Sequence, residues 1–162
     1  RNILFNIEAK LPDVPDNKDS SSVSKEALDE FATLMAAAVN ASGYAQRITV
    51  QSFAIEILPL VKAKSPHVRT SALFQSTYWQ GFRMYIGLGG GVRDAILQKA
   101  IAVKADIISP YWLYCSNDFI LKAHENKMLV IPWTVNDTKK IRDLLDRGVD
   151  GIISDYPNRL HL

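Results

Sequence analysis

Residues 128–157, MLVIPWTVNDTKKIRDLLDRGVDGIISDYP, decide the fold. They open on a short apolar run, Met128–Ile131, which is continuous rather than alternating, as in a strand covered on both faces. Asp137 then stands where an N-cap belongs, and Ile141, Leu144 and Leu145 fall on one helical face. Gly148 suits the first residue past the helix, where the backbone turns to positive φ. Val149–Ser154 is a second apolar run rich in β-branched residues. A strand, a helix and a strand in so short a span make a βαβ unit, whose crossover connection demands parallel pairing.

The same alternation runs outward toward the N-terminus. Buried strands are expected at Ile3–Ile7, Arg47–Gln51, Val68–Leu73 and Asp106–Ser109. Ser24 is a plausible cap for a helix with Leu28, Phe31, Met35 and Ala38 on one face. Val92, Ile96, Ala100 and Val103 repeat that spacing, and Ser116 caps a helix carrying Phe119, Ile120 and Ala123. A further helix is expected at Ala54–Ala63, with Pro59 in its first turn. Two loops look long, Leu11–Val23 and Gln75–Gly91. Strands and helices in strict alternation give an α/β fold with a parallel sheet. No repeat is visible beyond that alternation.

Composition narrows the class. The 162 residues are 48% hydrophobic and 22% charged, which excludes a disordered tail or a fibre. A net charge of +2, evenly spread, is no nucleic-acid footprint. No apolar run approaches the ~20 residues of a transmembrane helix. Cys115, the only cysteine, can form neither a disulfide within the chain nor a multi-cysteine zinc site. The first residue is Arg1, and an apolar strand follows at once, so a piece of a longer polypeptide is expected. Compartment is therefore open, with the cytoplasm the first expectation, and so is oligomeric state.

In parallel α/β folds the chemistry sits at the C-terminal ends of the strands. That rule picks out Glu8 and Lys10, Ser52 and Phe53, Phe74 and Gln75, then Pro110, Tyr111 and Trp112. It continues with Trp133, Thr134 and Asn136, and ends at Asp155 and Tyr156. Asp106 and Asp150 lie at the opposite strand ends and read as stability or capping residues. Strand alternation puts Glu8 and Lys10 on one face. They are either a cation ligand and a phosphate contact or a plain ion pair, and the residues alone favour the pair. Trp133 is either one wall of a small polyol pocket or a half-buried core tryptophan. Gly87–Gly91 lacks the P-loop ending and the dinucleotide spacing, and reads as a flexible loop rather than an anion nest. His67, His124 and His161 all miss the strand C-terminal ends, and Cys115 has no evident histidine partner.

Taken in order, several strings resemble the glycerophosphodiester phosphodiesterase family. They are Asn6-Ile7-Glu8-Ala9-Lys10, Val50-Gln51-Ser52-Phe53, Pro132-Trp133-Thr134-Val135-Asn136, and Gly148 through Pro157. The resemblance spans most of the chain and implies a TIM (βα)8 barrel. It implies hydrolysis of a small-molecule glycerophosphodiester to glycerol 3-phosphate and an alcohol. It also implies a divalent cation, Ca²⁺ or Mg²⁺, held by three carboxylates, with two histidines as general acid and base. By the match Glu8 is the third carboxylate, Lys10 contacts the phosphate and Trp133 lines the substrate pocket. Phe53 and Tyr111, at two other strand ends, are further candidates for the substrate wall.

One departure is large. The family's His-Arg-Gly string, its Glu-x-Asp metal pair and its second catalytic histidine lie upstream of the Asn-Ile-Glu strand, and this sequence does not contain them. Residues 1–162 are thus expected to form one partial barrel domain, about the last six of eight βα units. One carboxylate makes a poor Ca²⁺ site, and with no histidine at the strand mouths there is no acid–base agent. The chain alone is expected to be inactive. Competing readings are a sphingomyelinase D-like or phosphatidylinositol phospholipase-like barrel, and a non-catalytic barrel that binds phosphodiesters. An unrelated phosphate-binding barrel is disfavoured by the Trp-Thr-Val-Asn string.

Overall fold

The computed structural model describes residues 3–11 and 23–160, in two compact units. The loop expected at Leu11–Val23 lies, but for its two ends, outside the described residues, as does His161.

The first unit comprises residues up to Leu73 together with Ala102–Asp106. Strands β1 (Phe5–Glu8), β2 (Ile48–Ser52) and β3 (Arg69–Phe74) belong here except for Phe74. β1 pairs parallel with β2 from Phe5↔Ile48 to Glu8↔Gln51, and β2 pairs parallel with β3 from Thr49↔Arg69 to Ser52↔Ala72. Helix α1 (Lys25–Ala41) starts at Ser24, whose side chain accepts from Ala27 N, and buries Leu28, Ala32, Ala36 and Val39. Helix α2 (Ile57–Lys64) buries Ile57, Leu58 and Val61, with Pro59 in its first turn, where a missing N–H costs nothing. The ends of the two helices are tied by Ser65 Oγ, which donates to Asn40 Oδ1 at 2.7 Å.

β1 departs from expectation. It was expected to be buried, yet Ile3, Leu4, Phe5 and Ile7 are all exposed. The reason is position: among the described residues β1 is an edge strand, with β2 its neighbour on one side. Arg47 partly compensates. Its guanidinium donates to the Ile3 carbonyl and stacks over the rings of Phe5 and Tyr44.

The second unit comprises Phe74–Ile101 and the residues from Ile107 onward. Strands β4 (Ile107–Pro110) and β5 (Leu129–Val130) pair in parallel through Ile107↔Leu129 and Ile108↔Val130. Helices α3 (Tyr78–Tyr85), α4 (Gly90–Ala102), α5 (Asn117–Glu125) and α6 (Thr138–Asp146) surround a core of Ile108, Tyr114, Phe119, Val130, Ile141 and Leu144. Ser116 and Asp137 cap α5 and α6 as expected, and Gly148 follows α6 at φ 94°. Parallel strands alternating with helices are the architecture of a (βα) barrel.

Three expectations change in this unit. The stretch Gln75–Gly91 contains α3, closed at its start by a reciprocal Thr77–Gln80 capping box. Gly90 and Gly91 are the first residues of α4, and Gly89 is packed so closely that a Cβ there would lie 3.0 Å from Met84 Cα. A glycine-rich loop thus becomes a tight turn between two helices. The third change is at Val149–Ser154, which runs alongside β5 without forming a strand. Asp150 N donates to Val130 O and Ile153 N to Pro132 O, and Val135 N returns to Ile153 O, but the ladder is broken around Asp150. Val130 N is taken by the Asp150 carboxylate, and Pro132 has no N–H to give.

The strand N-terminal ends are closed by one device used twice. In the first unit, Asp106 N donates to Thr70 O while Thr70 N donates back to Asp106 Oδ2 at 2.8 Å; Lys62 Nζ reaches the same oxygen. In the second, Asp150 N donates to Val130 O and Val130 N returns to Asp150 Oδ2 at 2.8 Å; His124 Nε2 lies 2.9 Å from that oxygen. Both aspartates therefore act as strand clamps, in line with their reading as stability residues.

Candidate functional site

Each unit presents candidate residues at its strand C-terminal ends. In the first unit the β1–β2 ladder extends one residue past β1, with Ala9 N donating to Gln51 O at 2.7 Å. That bond holds the backbone extended through Lys10, so Glu8 and Lys10 share a face. Their charged atoms are 3.6 Å apart, with Glu8 half-buried and Lys10 exposed. The buried Ser52 supports this corner: its Oγ donates to Ala9 O at 2.7 Å and accepts from Ala54 N. Phe53 follows directly and is half-buried.

The pair by itself makes a poor cation site. A lone carboxylate beside an ammonium offers a Ca²⁺ ion, which takes six to eight oxygens, at most two of them. No group of three His, Cys, Asp or Glu side chains able to hold a metal occurs among the described residues. The described residues do not by themselves fit a Ca²⁺ or Mg²⁺ site.

In the second unit, Tyr111 and Trp133 leave neighbouring strand ends and meet. A parallel bridge pairs them, Trp112 N donates to Trp133 O, and Trp133 N donates to Pro110 O. Their rings are edge to face, with centroids 6.1 Å apart. Trp133 Nε1 donates to Ser109 O at 2.8 Å, which fixes the indole plane. Together they wall a cavity of about 460 Å³. Its remaining lining comes from the segment expected to be a loop, including Gln75, Tyr78, Phe82 and Tyr85, and Leu113 closes one side. No lining residue is charged. The cavity offers aromatic faces and a few hydroxyl and amide groups, a setting for a glycerol backbone or another small polar-apolar group.

The neighbouring strand-end residues have structural roles. Asn136 Oδ1 accepts from Asp155 N and from Ser154 Oγ, and its Nδ2 donates to Asp155 Oδ2 at 2.8 Å. Arg159 donates to the Asn136 carbonyl. Behind the cavity Tyr114 is fully buried, with its hydroxyl 3.3 Å from both Gln75 O and Gln80 Oε1. Burial pushes the Tyr114 phenol up to about 12, against the pull of Arg93, whose Nε donates to Tyr114 O. Burial likewise pushes the Cys115 thiol up to about 12, so it is no nucleophile. His67 is exposed, and His124 sits at the strand N-terminal end with Asp150.

Of the residues lining this cavity, Gln75, Tyr111 and Trp133 stand at strand ends picked out from the sequence, whereas Tyr78, Phe82 and Tyr85 do not. The available signal was the Thr77-x-x-Gln80 string, which announces a helix start.

Residues 1–159 match the model of the glycerophosphoryl diester phosphodiesterase family. The chain belongs to that family. A glycerophosphodiester phosphodiesterase of Caldanaerobacter subterraneus subsp. tengcongensis is 24% identical over 123 residues, covering 76% of this chain and 44% of the relative. A crystal structure from Silicibacter pomeroyi bearing the glycerophosphoryl diester phosphodiesterase name has a TM-score of 0.70 at 26% identity, over 88% of this chain and 46% of that one. An Oleispira antarctica phosphodiesterase, solved with the product sn-glycerol-3-phosphate, has a TM-score of 0.63 at 17% identity, over 98% of this chain and 54% of that one. The fold is accordingly that of a TIM barrel in part, and the chain spans about half the length of the family members it matches.

Proposed function

We propose that the protein to which this chain contributes hydrolyses glycerophosphodiesters to glycerol 3-phosphate and an alcohol. The observation that carries this reading is the uncharged aromatic cavity walled by Tyr111 and Trp133 in a chain of this family. In this reading Trp133 packs against the glycerol carbons, and Tyr111 fixes the indole face. Lys10 holds a phosphate oxygen as a point charge. Phe53 adds apolar surface at the end of β2.

Glu8 could serve a divalent cation as one ligand among several, with the others coming from outside the described residues. The histidines of the described segment lie away from the strand mouths. The chain by itself is therefore expected to lack turnover.

Release of glycerol 3-phosphate from glycerophosphocholine, followed with a coupled dehydrogenase, tests this. The isolated chain should give no cation-dependent rate above background. The full-length protein should hydrolyse the diester, and Glu8→Ala in it should abolish the cation-dependent rate. Turnover by the isolated chain would overturn the inactivity, and a near-normal rate in the Glu8→Ala protein would overturn the ligand role. A full-length protein that binds glycerol 3-phosphate without turnover would establish the non-catalytic alternative.

A further inference from the structure

Helix α3 exposes most of its aromatic side chains. Tyr78 is 87% exposed, Trp79 73% and Tyr85 84%, and Phe82, Ile86 and Leu88 are also open to solvent. Met84 is the helix's one buried residue. Three of the rings form a ladder, with Tyr78–Trp79 and Trp79–Phe82 each edge to face at 6.4 and 6.3 Å. Exposed apolar patches of this kind mark interaction surfaces on a folded protein.

Its chemistry selects the partner. Tyrosine and tryptophan combine an apolar body with a polar tip, the balance that places them at the membrane–water boundary. The exposed Arg83 lies among them, and no aspartate or glutamate occurs between Glu56 and Asp94. A protein partner of ordinary composition does not need that absence of negative charge, whereas an anionic lipid surface does. The turn geometry keeps the patch together. Gly87, at φ 81°, reverses the chain, and Gly89 packs against Met84, which brings Ile86 and Leu88 back beside the helix.

We infer that α3 and the turn after it dock on an anionic lipid surface. Tyr78, Phe82 and Tyr85 also line the cavity walled by Tyr111 and Trp133. Docking would therefore hold the mouth of that cavity at the lipid–water boundary, where phosphodiesters with a hydrocarbon chain are presented. This last step rests on the cavity being the substrate's; the docking itself does not.

Vesicle co-sedimentation with the chain tests the inference directly, using phosphatidylcholine vesicles with and without phosphatidylglycerol. The wild-type chain should partition onto the phosphatidylglycerol vesicles with a blue shift of tryptophan emission. Trp79→Ser and Leu88→Ser, both at exposed positions outside the cavity lining, should each weaken partitioning about tenfold, with circular dichroism unchanged. Arg83→Glu should remove the preference for anionic vesicles. A wild-type chain that stays in the supernatant with both vesicle types overturns the inference. So does equal partitioning of the Trp79→Ser chain. Self-association in sedimentation equilibrium that Trp79→Ser disperses would also overturn it, by assigning the face to a second copy. Because vesicle binding is read without turnover, it can fail while hydrolysis of soluble glycerophosphocholine succeeds, and the reverse.

Discussion

The ring of Tyr111 stands edge-on to the ring of Trp133, with centroids 6.1 Å apart and planes at 70°. The indole is held from two sides, by this contact and by the bond from its Nε1 to Ser109 O. Trp133→Phe keeps the aromatic contact and loses the donor, and should cost about 1 kcal/mol. Trp133→Ala also removes the ring from a packed wall, and should cost about 3 kcal/mol. Urea denaturation midpoints give both values. A Trp133→Phe variant as stable as wild type would show that the hydrogen bond contributes nothing, and equal losses in the two variants would show the same of the ring packing.

Asp106 and Thr70 exchange two hydrogen bonds across the strand start, and Thr70 is buried. Asp106→Ala leaves the Thr70 N–H without its carboxylate acceptor, a loss of about 2 kcal/mol. The half-buried ion pair with Lys62 adds a smaller contribution to this. Asp106→Asn keeps an acceptor and should lose less. The clamp is refuted if the alanine variant unfolds within about 0.5 kcal/mol of wild type.

Tyr114 and Cys115 both carry pKa values of about 12 in the folded chain, above their ordinary values of 10.0 and 9.0. The unfolded chain releases these protons first as pH rises. Their effect on stability is therefore constant below pH ~9, and stability falls between pH ~9 and ~12, by at most about 1.4 kcal/mol per pH unit for each group. Thermal unfolding across that range should show the fall, and Cys115→Ala should flatten part of it. At pH 8 an aromatic disulfide reagent should leave the native thiol untouched and titrate it fully in urea. Rapid labelling of the native chain would contradict the burial.

Gly89 is tied to its place by contact. A Cβ there would lie 2.6 Å from Met84 Cγ and 3.0 Å from Met84 Cα. Gly89→Ala should therefore loosen the turn between α3 and α4 and speed amide exchange in residues 78–88, by about tenfold for a local cost of about 1.4 kcal/mol. Exchange in β4 and α5 should stay as in wild type. Unchanged exchange in α3 would mean that Met84 moves aside at no cost.

The departures from the sequence reading share one pattern. Helix α3 was missed because its aromatic residues are only moderate helix formers and its apolar side chains face outward, so no buried stripe announces it. The strand at Val149–Ser154 was expected because its composition is right, but its neighbour holds Pro132 and a Val130 N–H already taken by Asp150. β1 has the composition of a buried strand and lies at an edge. In each case the local string was read correctly for what it prefers, and the neighbour decided the outcome.

By itself the sequence determined the alternation of strands and helices, the caps at Ser24, Ser116 and Asp137, and the strand ends where Glu8, Lys10, Tyr111 and Trp133 stand. Those features depend on spacing along a few residues, and period and capping chemistry are local. Only the tertiary structure decided that Tyr111 and Trp133 meet, that a helix of exposed aromatics forms the other side of their cavity, and that Asp106 and Asp150 each clamp a strand start. Those pairings join residues far apart in the chain, and which partners meet is set by strand register and packing rather than by any local preference.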